Sequence, residues 1–192
     1  MKLRPILACL LTLSCSREGN AGAGNHLLAG QRAETQARAG FGLSSSSFPS
    51  GGTIPLAYSA YGDNRSPALA WSALPAGTKS LALLVEDPDA ASARPFVHWL
   101  AWNIDPAAGR LPEGTVPAGT VQGRNSRGTA AWFGPRPHGP KPHHYHFQLF
   151  ALDAPLNVPG GTEREPLLAA MRGHVVAQAD LVGLFAAPRA RK

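Results

Sequence analysis

The sequence predicts a mainly β domain, a sandwich or a barrel, with one helix near its C-terminal end. Three observations carry that reading. The chain has 21 glycines and 18 prolines in 192 residues. Each such residue inside a helix costs roughly 1 to 3 kcal/mol, so bundles and coiled coils are excluded. Turn signals recur at short intervals (Pro49-Ser50-Gly51-Gly52, Gly62-Asp63-Asn64, Pro75-Ala76-Gly77, Asp87-Pro88-Asp89, Asp105-Pro106, Pro112-Glu113-Gly114), with short apolar runs between them. That is the pattern of consecutive antiparallel strands. Helical periodicity is confined to one late stretch, where Leu167, Met171, Val175 and Val182 share a face. The length suits one domain with its own core. An apolar content of 44% rules out disorder throughout.

The chain opens on an address. Met1-Lys2-Leu3-Arg4 is cationic, and Ile6 to Leu13 is an apolar run of eight. Eight helical residues cover about 12 Å, far less than the ~30 Å needed to span a bilayer, so residues 1–14 read as a signal peptide. Thr12-Leu13-Ser14-Cys15 resembles a bacterial lipobox, although Thr12 stands where Leu is usual. Cleavage would leave Cys15 to carry lipid, and the mature protein would sit outside the cytoplasm as a cell-envelope lipoprotein. The alternative is a soluble secreted or periplasmic chain. Residues 15–40 are polar, rich in Ala and Gly and without period, the composition of a flexible tether. Cys9 and Cys15 are the only cysteines, so the body has no disulfide framework.

From residue 41 the strands follow. Ser80 to Glu86 (SLALLVE), Phe96 to Ile104 (FVHWLAWNI) and Tyr145 to Leu152 (YHFQLFAL) are the longest. The first is apolar on both faces and reads as a central strand covered on both sides. The late helix would start at a capping box, Thr162 to Glu165, or with Pro166 in its first turn, and stop near Gly183. Residues 186–192 form a short basic tail. The net charge is +6, but Arg65, Arg94, Arg110, Arg124, Arg136 and Arg172 are scattered. No stripe interleaved with aromatics is present, so no nucleic-acid partner is expected.

Two segments concentrate ionisable side chains. Asp87-Pro88-Asp89 follows the central strand, with His98 in the next one, where alternation places it beside Leu100, Trp102 and Ile104. Gly134 to Leu152 (GPRPHGPKPHHYHFQLFAL) holds His138, His143, His144 and His146. Period two puts His143 and Tyr145 on one face with Phe147, and His144 and His146 on the other. A metal could use His144 and His146, or Asp87, Asp89 and His98. A hydrolytic triad is poorly supported, because no G-x-S-x-G elbow is present. The third reading is a polar pocket in which His98, His143 and Tyr145 donate hydrogen bonds to an anion while Asp87 and Asp89 hold the imidazoles.

Asp87-Pro88-Asp89-Ala90, then His98-Trp99, then Gly134-Pro135-x-Pro137 with His143-x-Tyr145-x-Phe147, resemble the phosphatidylethanolamine-binding (Raf-kinase-inhibitor-like) family, its bacterial branch best. Ser66 to Trp71, Gln122 to Asn125, and Gly173 to Gly183 add to the resemblance, which covers about residues 41–185. It implies a Greek-key β-sandwich of two antiparallel sheets with a C-terminal helix, and a pocket for phosphate-like anions and phospho-headgroups. The family's pocket residues correspond to Asp87, Asp89, His98, His143 and Tyr145, with Pro135 and Arg136 at the mouth. Two departures stand out. Ala91 replaces a proline, and Arg136 replaces a small thiol, either narrowing and charging the mouth or pointing to solvent.

The functional expectation is a binding domain without catalysis, cofactor or metal. Its partners would be a phosphate-like anion or phospholipid headgroup, the membrane through an N-terminal lipid anchor, and a second copy of the chain in a homodimer. The alternatives are a hydrolase, with or without a metal, built on the Asp/His cluster, and an inhibitor of a kinase or protease.

Overall fold

The computed structural model describes residues 27–37 and 39–189. The signal segment 1–14, Cys15 and the first part of the expected tether lie outside them, as does the end of the basic tail. Among the described residues, nine strands and one α-helix form the domain: β1 (Ala39–Gly40), β2 (Gly42–Ser44), β3 (Leu69–Ser72), β4 (Ser80–Asp87), β5 (Phe96–Ile104), β6 (Arg110–Leu111), β7 (Val121–Gly123), β8 (His143–Leu152), α1 (Arg164–Met171) and β9 (Val175–Phe185). They make a six-stranded sheet, ordered β1-β9-β8-β4-β5-β7, and a three-stranded sheet, ordered β2-β3-β6. Pairing is antiparallel except at the short β1–β9 edge. The order β8-β4-β5-β7 is that of a Greek key, the fourth strand returning beside the first.

All eight residues of β4 are buried, because both of its faces are covered. Leu81, Leu83 and Val85 join Tyr145, Phe147 and Leu149 in an inner core that reaches Leu69, Trp71 and Leu111 of the small sheet. Ala82 and Leu84 face the other way and pack with Leu100, Trp102, Phe150 and the α1 residues Leu167, Leu168 and Met171. The molecule therefore has three layers: small sheet, large sheet, and a cover of helix and chain.

Three expectations change. The helix is one segment of eight residues, ending at Met171, and it precedes the last strand. Gly173 turns the chain at φ +81, and Val175–Phe185 then pairs with β8 from Leu152↔Val175 to His143↔Phe185. Leu167 and Met171 are helical; Val175 and Val182 share their spacing by coincidence, and long-range pairing decides their conformation. The capping box does not form: Thr162 Oγ1 donates to the Pro159 carbonyl at 2.7 Å, while Pro166 does sit in the first turn.

The second change is at His98. The register moves from Val85↔Trp99 to Glu86↔Val97, so His98 is an extra residue in β5, a bulge. Leu100 and Trp102 face the outer core. His98 instead lies beside Tyr145 and Trp132 of the inner side, with centroids 5.0 and 6.4 Å away.

The third concerns the tether. Over residues 28–35 the chain is packed against the domain, and this part is not a free spacer. Ala29 and Thr35 are fully buried, with Leu28 nearly so, in two short 3-10 turns, Ala29–Gln31 and Ala33–Thr35. This strap crosses the outer face of the large sheet. Its anchor is Glu86, which is completely buried. The Glu86 carboxylate accepts from Ala29 N–H at 2.6 Å, from Gln148 Nε2 at 2.7 Å, and from Arg164 Nε. Arg164 also donates to the Leu27 carbonyl at 2.5 Å, and Gly30 N–H donates to Gln148 Oε1 at 2.6 Å.

Candidate ligand pocket

The pocket lies where β4 ends. Asp87 is the last residue of that strand, and its side chain is 5% exposed. Its Oδ1 accepts from the Asp89 N–H at 2.8 Å, closing a turn around Pro88, and its Oδ2 accepts from His143 Nδ1–H, also at 2.8 Å. His143 opens β8, beside β4 in the sheet, and the face assignment made from period two holds for it and for Tyr145. Nδ1 of His143 carries the proton given to Asp87, which leaves Nε2 without a partner among the described residues.

His98 reaches the same space through its bulge. Nδ1–H donates to the Phe133 carbonyl at 2.5 Å, so Nε2 is again the nitrogen left over. Burial pushes the His98 pKa down to about 4, against smaller upward contributions from the Phe133 carbonyl and the Asp87 charge. His98 is therefore neutral at ordinary pH, and Nε2 is a lone pair that accepts. Its reading as a donor is corrected. Tyr145, fully buried behind it, has a hydroxyl with no partner among the described residues. Burial first, then the Asp87 and Asp89 charges, raise its pKa, so the phenol keeps its proton.

The cavity holds about 320 Å³ and is lined by Asp87, Asp89, His98, Arg136 and His143, with Phe96 and Phe133 as aromatic walls. Asp89 points its carboxylate at His144, accepting from N–H at 2.8 Å and from Nδ1 at 2.7 Å. Burial raises the Asp89 pKa, but those bonds outweigh it and the net shift is downward. Pro135 is not part of the lining. Its carbonyl accepts from Ala60 N–H at 3.0 Å, and Gly134 N–H donates to Asn64 Oδ1 at 2.7 Å, so the pair fastens the loop to residues 58–64. Arg136 combines features of the two alternatives. It is exposed, yet it lines the mouth, with its guanidinium 5.7 Å from the Tyr61 ring centroid. The H-x-H pair is split between carboxylates, His144 with Asp89 and His146 with Asp180. Among the described residues no three His, Cys, Asp or Glu side chains gather as a metal's ligand set.

Sequence reasoning missed Phe96 and Phe133 as walls, and it gave no place in the pocket to His138, which also lines it. Phe96 was legible as the residue two before His98, the other two only once the loops had closed.

A two-sheet β-sandwich with an Asp–His pair and a buried imidazole at the end of its central strand defines a class of domain, and comparison with known proteins agrees. The family model described as phosphatidylethanolamine-binding protein matches residues 44–186. The chain belongs to the phosphatidylethanolamine-binding protein family. A UPF0098 protein of Methanothermobacter thermautotrophicus is 42% identical over 153 residues, covering 74% of this chain and 97% of that one. A candidate lipoprotein of Mycobacterium tuberculosis, LppC, is 40% identical over 144 residues, 74% of this chain and 71% of its own. Among solved structures, Escherichia coli YbcL, described as a member of the mammalian PEBP family, superposes with a TM-score of 0.72 at 31% identity, covering 78% of this chain and all of YbcL. A candidate PEBP homologue of Chlamydia trachomatis, CT736, gives 0.73 at 37%, covering 78% and 99%.

Proposed function

We propose that the pocket holds a phosphate-like group, free or on a phospholipid headgroup. The observation that supports this best is a pair of imidazoles lining a small aromatic-walled cavity, each with an Nε2 that has no partner among the described residues, His98 and His143; the Tyr145 hydroxyl, also without a partner among them, is buried behind the lining. The set mixes donors and acceptors. Tyr145 gives a hydrogen, His98 takes one, and the Asp87 charge repels a full dianion. A monoanion or zwitterion suits it, because a P–O–H or an ammonium supplies the hydrogen that His98 or Asp87 accepts.

NMR titration with phosphate and phosphoethanolamine tests the pocket. Ring resonances of His98, His143 and Tyr145 are expected to shift and saturate together. Saturable shifts confined to other residues would sink the reading.

The site of action is the cell envelope, with the chain held by lipid on Cys15. The cationic and apolar start with its lipobox-like end supports this, as does the name of the mycobacterial relative. No helix among the described residues is long and apolar enough to cross a membrane. Incorporation of labelled palmitate into the full chain, abolished by Cys15→Ser, is the expected result.

A further inference from the structure

A second cavity lies next to the pocket and shares two of its walls. It holds about 570 Å³, and Phe96 and Ser92 line both spaces. Its other walls come from the loop after Asp89, from residues 124–128 and from the start of α1.

Two of these walls are rigidly built. Asn125 is buried and uses its whole amide on its own loop, donating to Thr129 Oγ1 and the Ala131 carbonyl and accepting from the N–H groups of Arg127 and Thr129. The Arg124 N–H donates to the Thr162 carbonyl at 3.0 Å, tying that loop to the turn before the helix. Arg164, at the first position of α1, is fixed by Glu86 and by the Leu27 carbonyl.

The charges are what give the cleft a use. Arg164 and Glu165 are paired with each other, and each has a further partner in Glu86 or Arg32. Arg94 and Arg124 have no ion pair or hydrogen bond from their side chains among the described residues, and neither does Glu163. Two free guanidinium groups against one free carboxylate leave an excess of positive charge. It stands beside a pocket whose own unpaired groups suit one phosphate.

We infer that the cleft is the second half of the same binding site, taking a second anionic group of a ligand whose first is a phosphate in the Asp87–His143 pocket. This rests on the phosphate reading of that pocket. The ligand class is a small molecule with two anionic groups on a short linker that passes Phe96. Arg94 and Arg124 bind the distal group, and Glu163 opposes it. Phosphate and carboxylate are both suitable distal groups.

Calorimetric titration of the full chain decides it. The probes are propyl phosphate, a series of α,ω-alkanediol bisphosphates of increasing length, and the matching ω-carboxyalkyl phosphates. At one linker length a bis-anion is expected to bind about five- to tenfold tighter than propyl phosphate, the gain given by one or two exposed charge pairs. The Arg94→Ala, Arg124→Ala double variant should lose that gain and keep its affinity for propyl phosphate. Glu163→Gln should increase the gain about twofold to fivefold. A larger gain for the bisphosphates or for the carboxylates identifies the distal group. The inference is overturned if no bis-anion outbinds propyl phosphate, or if the arginine substitutions weaken both probes equally, which marks general attraction. Failure of the pocket reading looks different: propyl phosphate then leaves the His143 resonances unmoved.

Discussion

Burial holds the His98 imidazole neutral down to a pKa of about 4, and its bond to the Phe133 carbonyl fixes which nitrogen carries the proton. An unfolded histidine titrates near 6.5. Between those values the unfolded chain takes up a proton that the folded one refuses. The contribution to stability is whole above about pH 6.5 and is lost as the pH falls toward 4, on the order of 3 kcal/mol. Urea midpoints should decline across that window, and His98→Gln should flatten the decline; an unchanged slope in the variant would assign the loss to other groups. Asp87 offers a cleaner probe of binding. Asp87→Asn keeps an oxygen for the Asp89 N–H, which closes the turn, but loses the charge that orients His143. The melting temperature should hardly move, while affinity for phosphoethanolamine falls about tenfold by calorimetry. At this scale the shared face of His143 and Tyr145 was legible, since a period of two needs no partner to be read, and Asp87 was legible from its place at the end of an apolar run. His98 was legible as one candidate for the pocket, and the family resemblance favoured that place over the core. Its face and protonation depend on one extra residue in β5 and on a carbonyl 35 positions away.

Among the elements, β7 is short, with three residues pairing at the edge of the large sheet. Gly123 ends it for a steric reason. A Cβ there would lie 2.6 Å from the Thr162 carbonyl oxygen and 2.9 Å from Leu100 Cβ and Trp102 Cζ3. Two of these atoms belong to backbone or to the root of a side chain and cannot swing away. Gly123→Ala should therefore cost about 1 to 3 kcal/mol by denaturant unfolding and loosen the loop that carries Arg124. The motif Gln122-Gly123-Arg124-Asn125 is thus explained by packing and loop closure. The strands β4, β5 and β8 were read correctly because unbroken apolar runs bounded by turns have few other solutions. The segment after Met171 was not, because two valines fit a helical stripe as well as a strand. What separates the two outcomes is the left-handed turn at Gly173 and a ten-residue pairing with β8, which a local window cannot contain.

For the molecule as a whole, the strap over the outer face is the feature that composition misled. Its Ala- and Gly-rich sequence has no periodicity, yet a backbone N–H and a carbonyl of the strap complete the hydrogen bonding of the buried Glu86–Arg164 ion pair. The signal was present in β4, where Glu86 closes an apolar run covered on both faces. Such a residue requires partners, and Arg164 lies 78 positions away. Glu86→Ala should cost about 3 to 5 kcal/mol, because it removes the buried carboxylate of an ion pair and leaves Arg164 with the partly exposed Glu165 as its remaining charge partner. Amide hydrogens of residues 27–37 should then exchange faster, as mass spectrometry would detect. A chain begun at residue 41 should be less stable to urea than one begun at residue 27 by several kcal/mol, since Glu86 and Gln148 lose their backbone donors; equal stability would show that the strap is dispensable.

Glu86 and Asp87 are neighbours in β4, and they serve opposite faces of one sheet. The first is the strap's anchor, the second the pocket's pivot. Tension applied to the chain ahead of Leu27 therefore enters the fold at a clamp one peptide bond from Asp87. The clamp loads the central strand before any edge strand can peel. Such a pull is resisted by the best-buried part of the domain, and it is transmitted to the pocket.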